Sequence, residues 1–416
     1  MSGFLERLAQ RRRFGIRPGL ETMRLLLGAL GNPERGLRVV HVAGTNGKGA
    51  VAATLDAALR SCSYRVARYT SPHLLRLAER FCIDGAPMDD ALLEDAASRV
   101  EAALSSPALA GAGVEATFFE ALTAMAFVAF AEASVDVAVM EAGLGGRLDA
   151  TNVCEPVLCV ITRIGLDHCE LLGATPEAIA AEKAGIVKRG APIVLGRNAA
   201  GVREVVRGVA AERGAPFFYA PDIAGDKDVP RDFPLRGAFN RENCVTALAA
   251  LDVLKRDAGF PLGGFSLAGV SWPGRFQRIG RFLVDGAHNP PAAAALAAAL
   301  AEELRPGEKV DLIAGFCSDK DRAAVLRLLA PLCSRAFAVR TQNPRSVAPE
   351  TLAEEMRSAG MAAEAAATLG EAMARASTGP AKTILVCGSL FLAGEALAAL
   401  GAYENAPRTL EPAELP

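Results

Sequence analysis

Val39-Val40-His41-Val42-Ala43-Gly44-Thr45-Asn46-Gly47-Lys48-Gly49-Ala50 decides the reading of this chain: a β-branched run enters a glycine-rich turn, and one lysine stands where a helix should begin. Glycines let such a turn curl its backbone N–H groups around a phosphate, and the lysine adds a fixed positive charge for the terminal phosphates of a nucleotide. The stretch resembles a P-loop but departs from G-x-x-x-x-G-K-[ST], because Gly49 follows the lysine and Ala50 stands where a hydroxyl is expected. Taken alone, it reads equally as an ordinary strand–helix turn.

Outward from that turn, short apolar runs alternate with longer helical patterns, which predicts parallel sheets covered by helices on both faces. Strands are expected at 37–43, 65–69, 135–140, 157–162 and 192–196, and a second set at 281–285, 310–315, 336–340 and 383–388. A Gly/Pro-rich stretch from Gly259 to Gly274 separates the two sets and reads as a linker. The fold class is therefore α/β in two domains. A larger domain, residues 1–270, carries a P-loop-type, mostly parallel sheet, and a smaller Rossmann-like one covers 271–416. Thr117-Phe118-Phe119-Glu120 has capping-box spacing, Thr175-Pro176-Glu177 offers an N-cap with proline at N1, and Asn289-Pro290 repeats that signal before the Ala-rich helix 291–304.

Composition narrows the function classes. The chain has 416 residues, enough for two or three domains at ~150 residues each. Lys+Arg number 45 against 47 Asp+Glu, with no basic stripe of the kind nucleic acid demands. The run Arg11-Arg12-Arg13 lacks aromatic interleaving and reads as a solvated helix face. Nine cysteines are scattered without a C-x-x-C pair, several inside apolar runs, so buried free thiols in a reducing compartment are expected. The apolar segment 118–130 is too short to span a membrane, and Glu120 interrupts it. A cytoplasmic monomer that binds neither nucleic acid nor membrane is the expectation.

In doubly wound sheets, ligands sit at the carboxyl ends of the strands. Those ends are rich in chemistry here: Thr70-Ser71-Pro72-His73, Glu141 followed by Ala142-Gly143-Leu144-Gly145-Gly146-Arg147, Gly165-Leu166-Asp167-His168, and Asp285-Gly286-Ala287-His288-Asn289. All four histidines (41, 73, 168 and 288) fall in or beside such strands. Glu141, His168 and the Ser71 hydroxyl could converge on one hard cation bound to nucleotide phosphates, since Mg²⁺ takes few protein ligands. The bland alternative for Glu141 is a salt bridge to Arg147.

These motifs together resemble the folylpolyglutamate synthase/dihydrofolate synthase family of the Mur ligase superfamily. The resemblance runs through Phe14-Gly15-Ile16, Ala43–Gly49, Tyr69–Leu74, Glu141–Asn152, Ile161–Lys188, Trp272–Gln277, Asp285–Pro290 and Gly388–Glu395. It implies an ATP-dependent ligase that joins L-glutamate to a pterin carboxylate, dihydropteroate or a tetrahydrofolate, through an acyl phosphate. By the same resemblance Gly44, Thr45, Asn46, Gly47, Lys48, Gly49 and Ala50 would cradle ATP, with Asn243, Arg275 and Asp285 as further ATP contacts. Ser71, Glu141 and His168 would hold Mg²⁺. Lys183 matches a lysine carbamylated by CO₂ in the family and would serve a second Mg²⁺. Lys48, Lys183 and His288 are the implied catalytic positions, although Lys183 otherwise reads as a solvated helix residue and His288 as a turn cap. Thr117, Phe118, Phe119, Glu120, Leu148 and Asp149 are implied for the pterin, against a plain capping box for Thr117 and Glu120 and plain core for Phe118 and Phe119. Ala50 is the clearest departure, because the family usually has Ser or Thr there. A Mur-type ligase with another acid substrate, or a P-loop switch that makes no bond, are the competing readings.

Overall fold

The structure, a computed structural model, describes residues 3–4 and 19–403. The Arg11–Arg13 run and the Phe14-Gly15-Ile16 motif lie outside the described residues. Two sheets organise the rest. The first has eight strands: β1 (Val39–Ala43), β2 (Val66–Tyr69), β3 (Phe81–Ile83), β4 (Ala86–Pro87), β5 (Val137–Glu141), β6 (Pro156–Ile161), β7 (Ile193–Leu195) and β8 (Phe217–Tyr219), in the order β4-β3-β2-β5-β1-β6-β7-β8. The second has six: β9 (Gln277–Ile279), β10 (Phe282–Val284), β11 (Val310–Ala314), β12 (Cys333–Ala338), β13 (Ala362–Ala365) and β14 (Ile384–Cys387), in the order β13-β12-β11-β14-β10-β9.

Both sheets are parallel except at one edge, where β2, β3 and β4 pair antiparallel and β9 pairs antiparallel with β10. The sheets are thus mostly parallel, as expected, and β3–β4 and β9–β10 pair antiparallel because two-residue turns join them, too short for a helical crossover. The strand expected at 336–340 begins earlier, at Cys333. Every residue of β1 is buried, as a central strand covered on both faces requires. The helix Lys48–Ser61 packs against the helix Ala238–Asp257 on one face of the sheet, and the apolar helix Phe118–Glu132 fills the other. Thr117 caps that helix as a true capping box: the Thr117 N–H donates to Glu120 Oε2 at 2.7 Å and the Glu120 N–H to Thr117 Oγ1 at 3.2 Å. Thr175 and Asn289 cap the helices Pro176–Ala184 and Pro290–Glu303.

All nine cysteines are free, and seven are buried; Cys169 is exposed and Cys62 half-buried, so burial is not general. Among the described residues, no helix is long and apolar enough to cross a membrane.

Candidate active site

Strand order reverses at β1, which lies between β5 and β6. At such a switch point the connections leave on opposite faces and a crevice opens above the strand ends. Register then fixes the neighbours: Val42 lies level with Glu141 of β5, and Ala43 with Ile161 of β6. The loop after β1 is stapled to the loop after β6, since the Thr45 and Asn46 N–H groups donate to the Arg163 carbonyl at 2.9 and 3.3 Å. Gly47 turns the chain into the helix with φ 92°, and any Cβ there would strike the Asn243 side chain. The first intrahelical bond runs from the Val51 N–H to Gly47 O at 3.0 Å. The N–H groups of Lys48, Gly49 and Ala50 therefore stand free at a positive helix end, an anion-binding arrangement.

Lys48 Nζ donates to the carbonyls of Gly44 and Thr45 at 3.1 and 3.3 Å and lies 3.8 Å from Glu141 Oε1. Glu141 Oε2 accepts the Ser71 N–H at 3.2 Å. Burial raises the Glu141 carboxyl above its ordinary range, against the opposing pull of Lys48 and the Ser71 N–H. Arg147, the alternative partner considered from sequence, pairs instead with Glu182 at 2.8 Å.

Lys183 stands in the last turn of the helix Pro176–Ala184 and is only 4% exposed, which corrects the solvated-helix alternative. Burial, helped by the charge of Lys48, lowers its amine to about 7. Its Nζ makes no hydrogen bond or ion pair among the described residues. A buried amine that is half neutral near pH 7 is a nucleophile in waiting.

The opposite wall comes from the second sheet. Asp285 follows β10, and its carboxylate accepts the N–H groups of Phe276 and Ala287, both at 2.8 Å. Burial raises this carboxyl while neighbouring Arg275 acts to lower it. His288 Nδ1 lies 2.8 Å from the Gly286 carbonyl, which can only accept, so Nδ1 carries the proton and Nε2 is the acceptor. Burial lowers His288 to about 4. Asn289 reaches across to the first domain, with its Nδ2 2.7 Å from Asp167 Oδ2, and Lys320 Nζ lies 3.8 Å from Asp167 Oδ1.

One cleft of about 580 Å³ gathers these groups. Its lining includes Gly44 through Ala50, Ser71, Glu141, His168, Lys183, Asn243, Arg275, Asp285 and His288, together with Thr117, Phe119, Glu120, Leu148 and Asp149. Phe118 is the exception: it packs on the hydrophobic core and does not line the cleft. Asp149 is largely committed to the fold, accepting the N–H groups of Leu144 and Thr151 at 2.8 and 3.0 Å. Behind it, buried His41 Nε2 lies 2.8 Å from the Thr151 hydroxyl, so His41 supports the site from beneath and does not enter it. His73 is likewise buried, accepting from Arg80 Nε at 2.8 Å.

Sequence reasoning noted Asp167 and Asn289 at strand ends without giving them a site role and missed Lys320 and Arg345; all four line the cleft. Asp167 and Asn289 adjoin residues already singled out. Lys320 and Arg345 sit on loops beyond β11 and β12, where the same strand-end rule would have found them.

Among the described residues, no three His, Cys, Asp or Glu side chains gather as a metal cage. Mg²⁺ needs none, because it binds through one or two carboxylates plus waters and substrate phosphates. The buried Glu141 carboxylate beside Ser71, with His168 in the same cleft, fits that sparse donor set.

Residues 274–390 match the family model described as "Mur ligase, glutamate ligase domain". The chain is 34% identical over 397 residues to folylpolyglutamate synthase of Lacticaseibacillus casei, covering 88% of this chain and 91% of that one. It superposes on Mycobacterium tuberculosis folylpolyglutamate synthase complexed with ADP at a TM-score of 0.86, with 32% identity over 96% of this chain and 98% of that one. A third similarity is to the bifunctional folylpolyglutamate synthase/dihydrofolate synthase of Yersinia pestis complexed with AMPPNP and Mn ion, at a TM-score of 0.83 and 31% identity over 96% of this chain and 97% of that one.

Proposed function

Because the chain belongs to the folylpolyglutamate synthase/dihydrofolate synthase family of ATP-dependent ligases, we propose that its cleft joins L-glutamate to the carboxylate of a pterin, dihydropteroate, a tetrahydrofolate or both. The observation that carries this reading is the convergence of a phosphate-type loop, a buried carboxylate and a buried amine, unpaired among the described residues, on one cleft between two domains.

A carboxylate is a poor electrophile, and phosphorylation supplies the leaving group it lacks. One substrate carboxylate oxygen attacks the γ-phosphorus of ATP, and the bond to ADP breaks with its electrons leaving on ADP. The glutamate amine then attacks the acyl carbon, loses a proton, and phosphate departs. Such a reaction is catalysed mainly by positioning and charge neutralisation. Lys48 and the first-turn N–H groups face the charge that develops on the phosphates. Asn243, Arg275 and Asp285 hold the nucleotide, so that ATP bridges the two domains and domain closure excludes water. Ser71, Glu141 and His168 would hold Mg²⁺, which supplies electrostatic stabilisation of the phosphoryl oxygens when bound. Lys183, half neutral near pH 7, is suited to take up CO₂ as a carbamate and so become a second anionic metal ligand. His288 is too weakly basic at about 4 to collect a proton at pH 7, and serves as a neutral hydrogen-bonding group. Thr117, Phe119, Glu120, Leu148 and Asp149 form the pterin side. The working unit is a cytoplasmic monomer, with the boundary between its domains near residue 270.

ADP release with Mg-ATP, bicarbonate and L-glutamate tests this, comparing dihydropteroate, tetrahydrofolate and no pterin. Turnover with dihydropteroate alone makes the protein a dihydrofolate synthase, with tetrahydrofolate alone a tail-extending synthase, and with both a bifunctional enzyme. Silence with every pterin from a protein that binds ADP would move the substrate to another acid.

A further inference from the structure

Gly44 and Gly47 have φ of 151° and 92°, but Gly49 sits in ordinary helical backbone that any residue could adopt. Its neighbour explains the glycine. A Cβ at Gly49 would run into the six-membered ring of Trp272, onto Cζ2, Cε2 and Cη2. Trp272 is the only tryptophan of the chain and stands in the stretch that joins the two domains. Its indole cannot swing aside freely. The Arg68 guanidinium carbon lies 5.4 Å from the ring centre, and that arginine is buried and fixed by Asp56 at 3.0 Å, on the same helix whose first turn holds Gly49. The indole is thus held between the start of the helix and a side chain anchored further along it.

The residues just beyond Trp272 are equally constrained. The Gly274 N–H donates to Gln277 Oε1 at 2.9 Å, and the Gly274 carbonyl accepts the Gly286 N–H at 2.9 Å. Arg275 then packs its guanidinium on Gly286 inside the cleft. Two residues of chain, Pro273 and Gly274, therefore separate a contact on the phosphate loop from a cation on the opposite wall.

We infer that Trp272 is a positioning residue for the nucleotide: wedged on Gly49, it sets the stance of Lys48 and the first-turn N–H groups relative to Arg275 and Asp285. This rests on the reading of the cleft as an ATP site. It also gives a physical reason for the departure from G-K-[ST], since a side chain at position 49 would unseat the indole.

ADP binding, measured by calorimetry without pterin or glutamate, tests it with a double-mutant cycle. An aromatic contact of this kind predicts that Trp272→Ala weakens ADP about tenfold and raises the ATP KM about as much, while the pterin KM stays within about twofold. Trp272→Phe should restore most of the loss. Gly49→Ala should weaken ADP in the native background but change little when added to Trp272→Ala, because the clash is gone. ADP binding unchanged in Trp272→Ala, or effects of the two substitutions that simply multiply, would overturn the inference. If Trp272→Ala does not fold, Trp272→Phe and Gly49→Ala decide it: native ADP affinity in Gly49→Ala overturns it. Failure of the native protein to bind ADP at all would instead overturn the ATP-site reading beneath it.

Discussion

The two walls of the cleft treat their charges in opposite ways. On the wall built by the first sheet, Lys183 has no partner among the described residues, and Glu141 is buried with one hydrogen bond, from the Ser71 N–H at 3.2 Å, and with Lys48 at 3.8 Å and the more distant charges of Arg275 and Arg68 to compensate it. On the wall built by the second, Asp285 is occupied by two N–H groups at 2.8 Å, Asn289 caps a helix, and His288 is tied to its own turn. Uncompensated buried charge is costly to the fold and available to a ligand; compensated charge holds a shape. The first wall is therefore the reactive one and the second sets geometry. Substitutions on the first should cost turnover without costing stability, and substitutions on the second should cost stability.

The sharpest way to break this contrast is Lys48→Met. Removing a preorganised cation from a site of developing charge costs about 10²–10³ in kcat, or roughly 3–4 kcal/mol of transition-state stabilisation. Steady-state ADP release measures it. Turnover within a few-fold of native would show that the helix N–H groups suffice and that the first wall is not reactive in the sense argued.

Lys183 sharpens the contrast through pH. Its folded-state amine lies at about 7, below the ordinary 10.5, so burial opposes the charged form. The unfolded chain binds the extra proton between those values, and stability therefore rises with pH across that window. Lys183→Met should be more stable than the native protein at pH 6, by up to ~5 kcal/mol, and the gap should close as pH approaches 10.5. Denaturant unfolding at pH 6 and pH 9, without bicarbonate, reads this directly. The same variant should bind ADP yet turn over poorly. A residue on the geometric wall would show the opposite sign, with stability lost and not gained.

Asp285→Asn is the corresponding probe of that second wall. The amide keeps one acceptor oxygen and presents an NH₂ where a backbone N–H already points, so one hydrogen bond to a charged group is lost. About 1.5–3 kcal/mol of stability should go with it, read as a lower unfolding midpoint. A variant of native stability would mean that the turn after β10 holds itself, and the comparison would lose its second half.

The same physics decides how much of this was legible in the sequence. Long β-branched runs such as Val39–Ala43 and strong caps such as Thr117 with Glu120 act locally, so they read correctly in isolation. β13 does not, because Ala362-Ala363-Glu364-Ala365 has helical composition and becomes a strand only through its pairing with β12. β3 and β4 are three and two residues long and exist through their antiparallel partners. The site divides along the same line. The loop residues, Glu141 and Asp285 announce themselves at strand ends, whereas the burial of Lys183 is a property of the assembled fold, where the backbone of Gly146 closes over its helix. Phe118 and Phe119 are adjacent aromatics with the same local signal, and both pack on the core, but only helical rotation brings Phe119 to the cleft as well.

The smallest expected effect tests the reactive wall at its least polar point. Ala50 is buried at the first turn of the phosphate-binding helix, where its N–H is free but it has no hydroxyl. Ala50→Ser should add one hydrogen bond toward the nucleotide or its metal, worth about 0.5–1.5 kcal/mol, and so lower the ATP KM by roughly two- to tenfold. The unfolding midpoint should barely move, since Thr54 already holds the Ala50 carbonyl at 2.8 Å and Ala50 lines the cleft. An unchanged ATP KM and unchanged Mg²⁺ dependence would show that the free N–H groups and Lys48 already saturate the phosphate, and that the wall loses nothing by the alanine.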